Sequence, residues 1–192
     1  YKRQPKDIGH GLGVEPDLII IRNRTRAETW WTYFKVMGHG GAGLNELYTY
    51  NTTSTGLVTG ADSSVFGVGT DYGVNGNWIY VAWYFKAIKG FSKFGKYTGT
   101  GGDYNTDPFV WCGFKPAFVM IKDTSQQTNW IMFDSARNPY NEANLKLGSN
   151  KPNAENGSDF GNSSQNNIDM LSNGFKLLTG NTDTNVSGDV YV

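Results

Sequence analysis

One stretch constrains this chain more than any other, because it is written twice. Residues 13–34 read GVEPDLIIIRNRTRAETWWTYF, and one hundred positions on residues 113–134 read GFKPAFVMIKDTSQQTNWIMFD. Without a gap, Gly13 falls on Gly113, Pro16 on Pro116, Ile21 on Ile121 and Trp30 on Trp130. The exchanges keep the chemistry: Leu18 for Phe118, Ile19 for Val119, Arg22 for Lys122, Thr25 for Ser125, Tyr33 for Phe133. The period is too long for a solenoid unit, and each copy is large enough to be a small domain.

The repeated unit reads as a hairpin. A Gly-x-x-Pro turn stops what precedes it, since proline fixes φ. An apolar, β-branched run then predicts a buried strand over Asp17–Arg22. A polar loop follows, then an aromatic strand over Thr29–Phe34. In the second copy the strands are predicted at Ala117–Lys122 and Thr128–Phe133.

Each copy continues in the same order. After the loop Gly38–Gly43, Leu44–Tyr50 alternates like a strand, and residues 51–64 form a Thr/Ser/Gly-rich loop. Val65–Thr70 leads through Asn75-Gly76, a strong hairpin signal, into Trp78–Phe85. Downstream, Asn144–Leu147 matches Leu44–Tyr50, and Lys151–Asn167 is a second polar loop. Asn173–Leu178 matches Val65–Val68, setting Phe175 against Phe66. Asn185–Val192 matches Val74–Val81, setting Tyr191 against Tyr80.

No helix is predicted; Pro139 and the surrounding asparagines break the only candidate, 135–150. The expected fold is all-β: two tandem antiparallel β-sandwich domains, jelly-roll or lectin-like, related by internal duplication. The first spans 1–90 and the second 91–192, with the boundary near Gly90. A single long sandwich with intermeshed copies is the alternative. The first strand of the first domain and the final strand of the second read as clipped, so a longer parent chain is expected.

Composition narrows the function. Lys plus Arg and Asp plus Glu both count 17, so the net charge is zero. That lacks the footprint of a duplex nucleic-acid binder or a polybasic membrane binder. One cysteine, Cys112, excludes an internal disulfide framework and a Cys-based zinc site. His10 and His39 sit among glycines, away from any nucleophile motif, and no strand carries the alternating acids of a glycosidase pair. No catalytic residue, metal or cofactor is assigned. Asp71, Asn75, Asn77, Asp159, Asn162, Asn166 and Asn167 supply loop oxygens without the spacing of a calcium loop. The Asn-x-Ser/Thr matches at Asn23, Asn51, Asn156, Asn162 and Asn185 are discounted as chance in so Asn- and Thr-rich a chain. Asp134 and Arg137 are read as a structural loop clamp.

Aromatic rings divide into two sets. Trp30, Trp130, Tyr33, Phe133, Phe66, Phe175, Tyr80 and Tyr191 recur in both copies, so core packing explains them. Tyr48, Tyr50, Tyr72, Trp78, Tyr104 and Tyr140 have no counterpart, which makes them the candidate ligand-binding residues. Flat rings flanked by Asn, Asp and Gln suit sugar stacking or protein contact.

The phrases Gly11–Ile21, Gly90–Gly99, Gly113–Lys122, Phe133–Asn141 and Leu171–Leu177 resemble the tandem repeat domain of marine bacteriophage (cyanophage and pelagiphage) tail-fibre-like and virion surface proteins. That resemblance implies a concanavalin-A/laminin-G-like sandwich on a virion, outside the cell, with no catalytic set to inherit. The expected function is therefore a non-enzymatic tail-fibre or host-adhesion module that binds a surface glycan or protein through loops. Its expected partners are other virion proteins and further copies of itself, a trimer among the options, with no nucleic acid and no membrane insertion. The alternatives are a purely architectural capsid decoration, head fibre or spacer, and a carbohydrate-binding module of a larger enzyme.

Overall fold

Strand pairing is antiparallel throughout the described sheets, which makes the protein all-β. The computed structural model describes residues 3–102, 106–155, 167–178 and 182–192. Among them the only helical element is a three-residue 3-10 turn, Lys35–Met37. No helix there is long and apolar enough to cross a membrane.

The chain divides into two compact units, Tyr1–Glu46 with Tyr50–Ile88, and Leu47–Thr49 with Lys89–Val192. The first contains β1 (Lys6–Gly9), β2 (Leu18–Asn23), β3 (Trp31–Phe34), β4 (Ala42–Gly43), β5 (Val58–Ala61), β6 (Val65–Val68) and β7 (Tyr80–Phe85). They form two sheets, of order β4-β3-β2-β7 and β1-β6-β5. Side chains alternate across a strand, so Ile19, Ile21, Tyr33 and Trp31 of the larger sheet share a face with Tyr80, Ala82 and Tyr84. That face packs with Val58, Phe66 and Val68 of the smaller sheet, and with Leu57 and Val74.

The second unit contains β8 (Tyr97–Thr98), β9 (Phe109–Trp111), β10 (Phe118–Lys122), β11 (Trp130–Asp134), β12 (Ile168–Leu171), β13 (Gly174–Leu177) and β14 (Val190–Tyr191). Its sheets are β10-β11, β12-β13-β9 and β14-β8. The core again takes alternate residues: Val119, Ile121, Ile131 and Phe133 from one sheet meet Ile168, Met170, Phe175 and Leu177 from another, and Tyr191 of β14 belongs to the same cluster.

The repeated stretch forms a hairpin in both units. Leu18 pairs with Phe34 and Ile21 with Trp31; Phe118 pairs with Asp134 and Ile121 with Ile131. Gly13 and Gly113 both hold positive φ, 71° and 83°, a conformation that side chains disfavour. Trp30 and Trp130 differ, however. Both backbone amides donate to an Asn side chain, Asn45 at 2.8 Å and Asn150 at 3.0 Å. Trp130 is buried at 1% exposure, whereas Trp30 is half-buried and stacks on Trp83, with ring centroids 5.5 Å apart. Trp30 is thus not a core ring, because β7 offers it a partner on the outer face of the sheet.

Two other expectations are corrected and one strand is added. The Asn75-Gly76 turn does not close a hairpin: β6 is taken by β1 and β5, and β7 pairs with β2. Residues 6–9, to which the sequence assigns no element, form β1, which pairs with β6 from Lys6↔Val68 to Gly9↔Val65. Leu44–Tyr50 is turn and coil, not a strand.

Candidate functional site

Tyr72 and Trp78 lie in the connection from β6 to β7, and that loop is held by the side chains of Asp71, Asn75 and Tyr80. Asp71 Oδ1 accepts the Gly73 amide at 2.7 Å. The Asn75 side chain, 5% exposed, donates to Gly69 O at 2.6 Å and Gln4 O at 3.0 Å. Tyr80, the first residue of β7, accepts the Gly76 amide on its hydroxyl at 2.6 Å and donates to Tyr72 O at 2.7 Å. Burial pushes that phenol above its ordinary range, and the Gly76 bond opposes the shift. Trp78 lies directly over Gly76: a Cβ there would stand 2.1 Å from the indole Cε3.

The loop brings the two rings together. Tyr72 is 57% exposed, and its centroid lies 5.8 Å from that of Trp78 with the planes 35° apart. Each ring carries an arginine. Arg3 Cζ is 3.6 Å from the Tyr72 centroid, and Arg26 Cζ is 4.8 Å from that of Trp78, within cation–π range. Arg3 is steered by Nη1 donating to Thr70 O at 3.4 Å and Asn75 O at 3.2 Å. Arg26 stands in the β2–β3 loop, which Asn23 caps, and its Nε is 3.8 Å from Glu28 Oε1. Three separate segments therefore converge on one surface strip, Arg3–Tyr72–Trp78–Arg26.

The other candidate rings are scattered. Tyr48 and Tyr140, both in the second unit, are 52% and 83% exposed. Tyr104 falls outside the described residues, as do Asp159, Asn162 and Asn166 of the loop-oxygen set and Asn156 of the glycosylation matches. Tyr50 is corrected. It is 5% exposed, and its hydroxyl accepts from Phe34 N at 3.2 Å and donates to Gly38 O at 2.9 Å. A buried phenol needs such partners, so this ring is part of the packing and offers no contact surface.

Arg3 and Arg26 were not singled out by the sequence, since nothing near them in the chain marks them as ring partners. The exposed rings Trp111 and Trp83 also gather partners. Lys93 Nζ lies 4.3 Å from the Trp111 ring. Trp83 stacks on Trp30, over which Arg22 sits at 5.4 Å.

The second unit holds buried polar groups. Lys122 Nζ donates to Thr128 O at 2.8 Å and Leu47 O at 3.2 Å, and Lys146 Nζ donates to Asn167 Oδ1 at 3.4 Å. Burial lowers both ammonium groups to about 8, against the pull of nearby carboxylates. Asp134 binds the Arg137 side chain at 2.6 Å and its amide at 2.8 Å, and Glu155 pairs with the same guanidinium. Among the described residues no three His, Cys, Asp or Glu gather as metal ligands. His10 is held by Asp62 O and the Leu12 amide, and burial raises the Cys112 thiol.

Fold and site together define an all-β protein of antiparallel sheets that presents an aromatic and arginine strip on its loops. Within that class the chain belongs to the family described as Domain of unknown function (DUF7483), whose model matches residues 3–192. No curated protein and no solved structure matches it.

Proposed function

We propose that this chain is a non-enzymatic surface module of a bacteriophage virion, in a tail fibre or host-adhesion appendage, binding a host-surface glycan through its loops. Two tandem lectin-like sandwiches, made by internal duplication, are its scaffold. The observation that carries the reading is the pairing of exposed Tyr72 with half-buried Trp78 on a loop fastened to paired strands. Flat rings on a rigid support stack against sugar faces with little ordering cost. The duplicated scaffold is supported by the matched registers of β2–β3 and β10–β11. It is supported again by two tyrosines used alike: the Tyr191 hydroxyl accepts from Val186 N and donates to Thr182 O, as Tyr80 does with Gly76 and Tyr72. Many copies on one particle would turn weak single sites into firm adhesion.

Glycan-array binding by the whole chain, repeated with Tyr72→Ala, tests this. Binding that falls about tenfold at an unchanged thermal midpoint supports adhesion. No binding to any glycan, with the chain in a fixed lattice position on the particle, establishes the architectural role in its place.

A further inference from the structure

We infer that the Arg3–Tyr72–Trp78–Arg26 strip is a subsite for an anionic sugar, one bearing a carboxylate or sulfate group. The inference rests on the glycan-binding reading above and adds the charge of the ligand.

The argument starts from how the arginines are used. A guanidinium stacked on a ring spends its face, while its N–H donors point outward in its own plane, where a carboxylate or sulfate meets them in pairs. Arg3 spends Nη1 on two carbonyls, and its stacked position over Tyr72 pre-sets the rest of the fork. Arg26 has one acidic neighbour, Glu28, at 3.8 Å with both side chains partly exposed, a pairing that contributes little. The nearby Asp71 has Oδ1 engaged by the Gly73 amide. The strip therefore joins two cations to two aromatic rings, within a chain whose net charge is zero.

The matching place in the second unit shows that the scaffold does not demand this chemistry. There the loop after β10 carries Gln126 where the first unit has Arg26, and its side chain donates to Asp189. An amide and a carboxylate suffice to tie the two loops together. In the first unit the same junction is made by an exposed cation on a half-buried indole, which leaves charge and part of the ring area facing water. Neutral sugars need the rings alone; a carboxylate or sulfate also engages the outward N–H donors of the stacked guanidinium groups.

The test measures binding of the full chain to four polymers: polygalacturonate, a sulfated galactan, neutral dextran and single-stranded oligo-dT. Binding to polygalacturonate or the sulfated galactan, tighter than to dextran and weakening with salt, is expected, and whichever binds tighter identifies the acidic group. Arg3→Gln and Arg26→Gln should each lower that affinity about 5–10-fold and leave dextran binding as it was. Arg26→Lys, which keeps the charge and loses the planar fork, should recover only part. Equal affinity for charged and neutral polymers, or glutamine variants that bind the polyanions like the parent, overturns the anionic subsite and leaves glycan binding standing. Absence of binding to every polysaccharide overturns both readings. Oligo-dT bound more tightly than every polysaccharide overturns the inference in favour of a nucleic-acid groove.

Discussion

Asn23 and Asp123 hold the same place in the two hairpins and do the same work with different chemistry. Asn23 Oδ1 accepts the amides of Thr25 and Arg26 at 2.9 and 3.1 Å; Asp123 Oδ1 accepts those of Ser125 and Gln126 at 2.7 and 3.1 Å. Both residues are buried, and each keeps a second side-chain atom without a hydrogen-bond partner, Nδ2 in one and Oδ2 in the other. The cap needs one acceptor oxygen, which either residue supplies.

Asp123→Asn is therefore expected to stabilise the second unit at neutral pH. Burial raises the Asp123 carboxyl, and the opposing amide bonds and Lys122 do not cancel it. A raised acid binds its proton more tightly when folded, so its contribution is present below the unfolded value and is lost as pH rises through the folded one. Asparagine keeps the cap and removes that loss. The thermal midpoint should rise by about 2–4 °C at pH 7 and change little at pH 3. A lower midpoint at pH 7 would mean that attraction to Lys122 outweighs burial.

Phe66→Ala and Phe133→Ala should each cost about 3–5 kcal/mol in denaturant unfolding, through lost burial and the cavity left behind. The rings are 2% and 1% exposed and belong to separate cores. Phe118→Ala, by contrast, removes a side chain 57% exposed and should cost under about 1 kcal/mol.

What the sequence disclosed followed from how local each signal is. The Gly-x-x-Pro turns, the apolar runs after them and the loop between the strands lie within about twenty residues, and the hairpins formed where expected. The Asn75-Gly76 turn misled because a dipeptide fixes a bend, not the partners of its flanking strands, and β1 and β2 claimed those strands from far off in the chain. β1 itself was hidden: Lys6–Gly9 is exposed along its length and carries no burial periodicity. At the site, lack of a counterpart in the other copy pointed to Tyr72 and Trp78. Tyr50 satisfied the same criterion and is buried, since a missing counterpart says nothing about whether a ring faces the packing or water.

Stability of the second unit should rise between pH 8 and 10. Lys122 and Lys146 have no exposed surface, and burial holds both at about 8, below the ordinary lysine value of 10.5. Below pH 8 both states carry the protons and the folded state bears the whole burial cost. Between the two values the unfolded chain keeps protons that the folded state has released, so stability grows with pH, on the order of 1–3 kcal/mol. Tyrosines reverse the trend above pH 10. Tyr97 and Tyr191 are raised by burial, so the unfolded chain then loses protons that the folded state retains. A pH series of urea unfolding checks this; Lys122→Met should flatten the rise, and an unchanged slope in that variant would assign it elsewhere.

Gly76→Ala probes whether the ring pair depends on the space beneath it. The added methyl would stand 2.1 Å from Trp78 Cε3 and 2.6 Å from the Tyr80 hydroxyl, closer than atoms pack, so the indole must lift. The Gly76 amide survives the change, but the Tyr80 hydroxyl that accepts it must also shift away from the methyl. Overpacking of this kind costs about 1–3 kcal/mol, and the indole should swing away from Tyr72 and from the Arg26 guanidinium. Near-UV circular dichroism and tryptophan emission report that displacement directly. Polygalacturonate affinity should fall about tenfold while far-UV spectra stay as in the parent. If the tryptophan signals move and the affinity does not, Trp78 lies beside the ligand and forms no part of its seat.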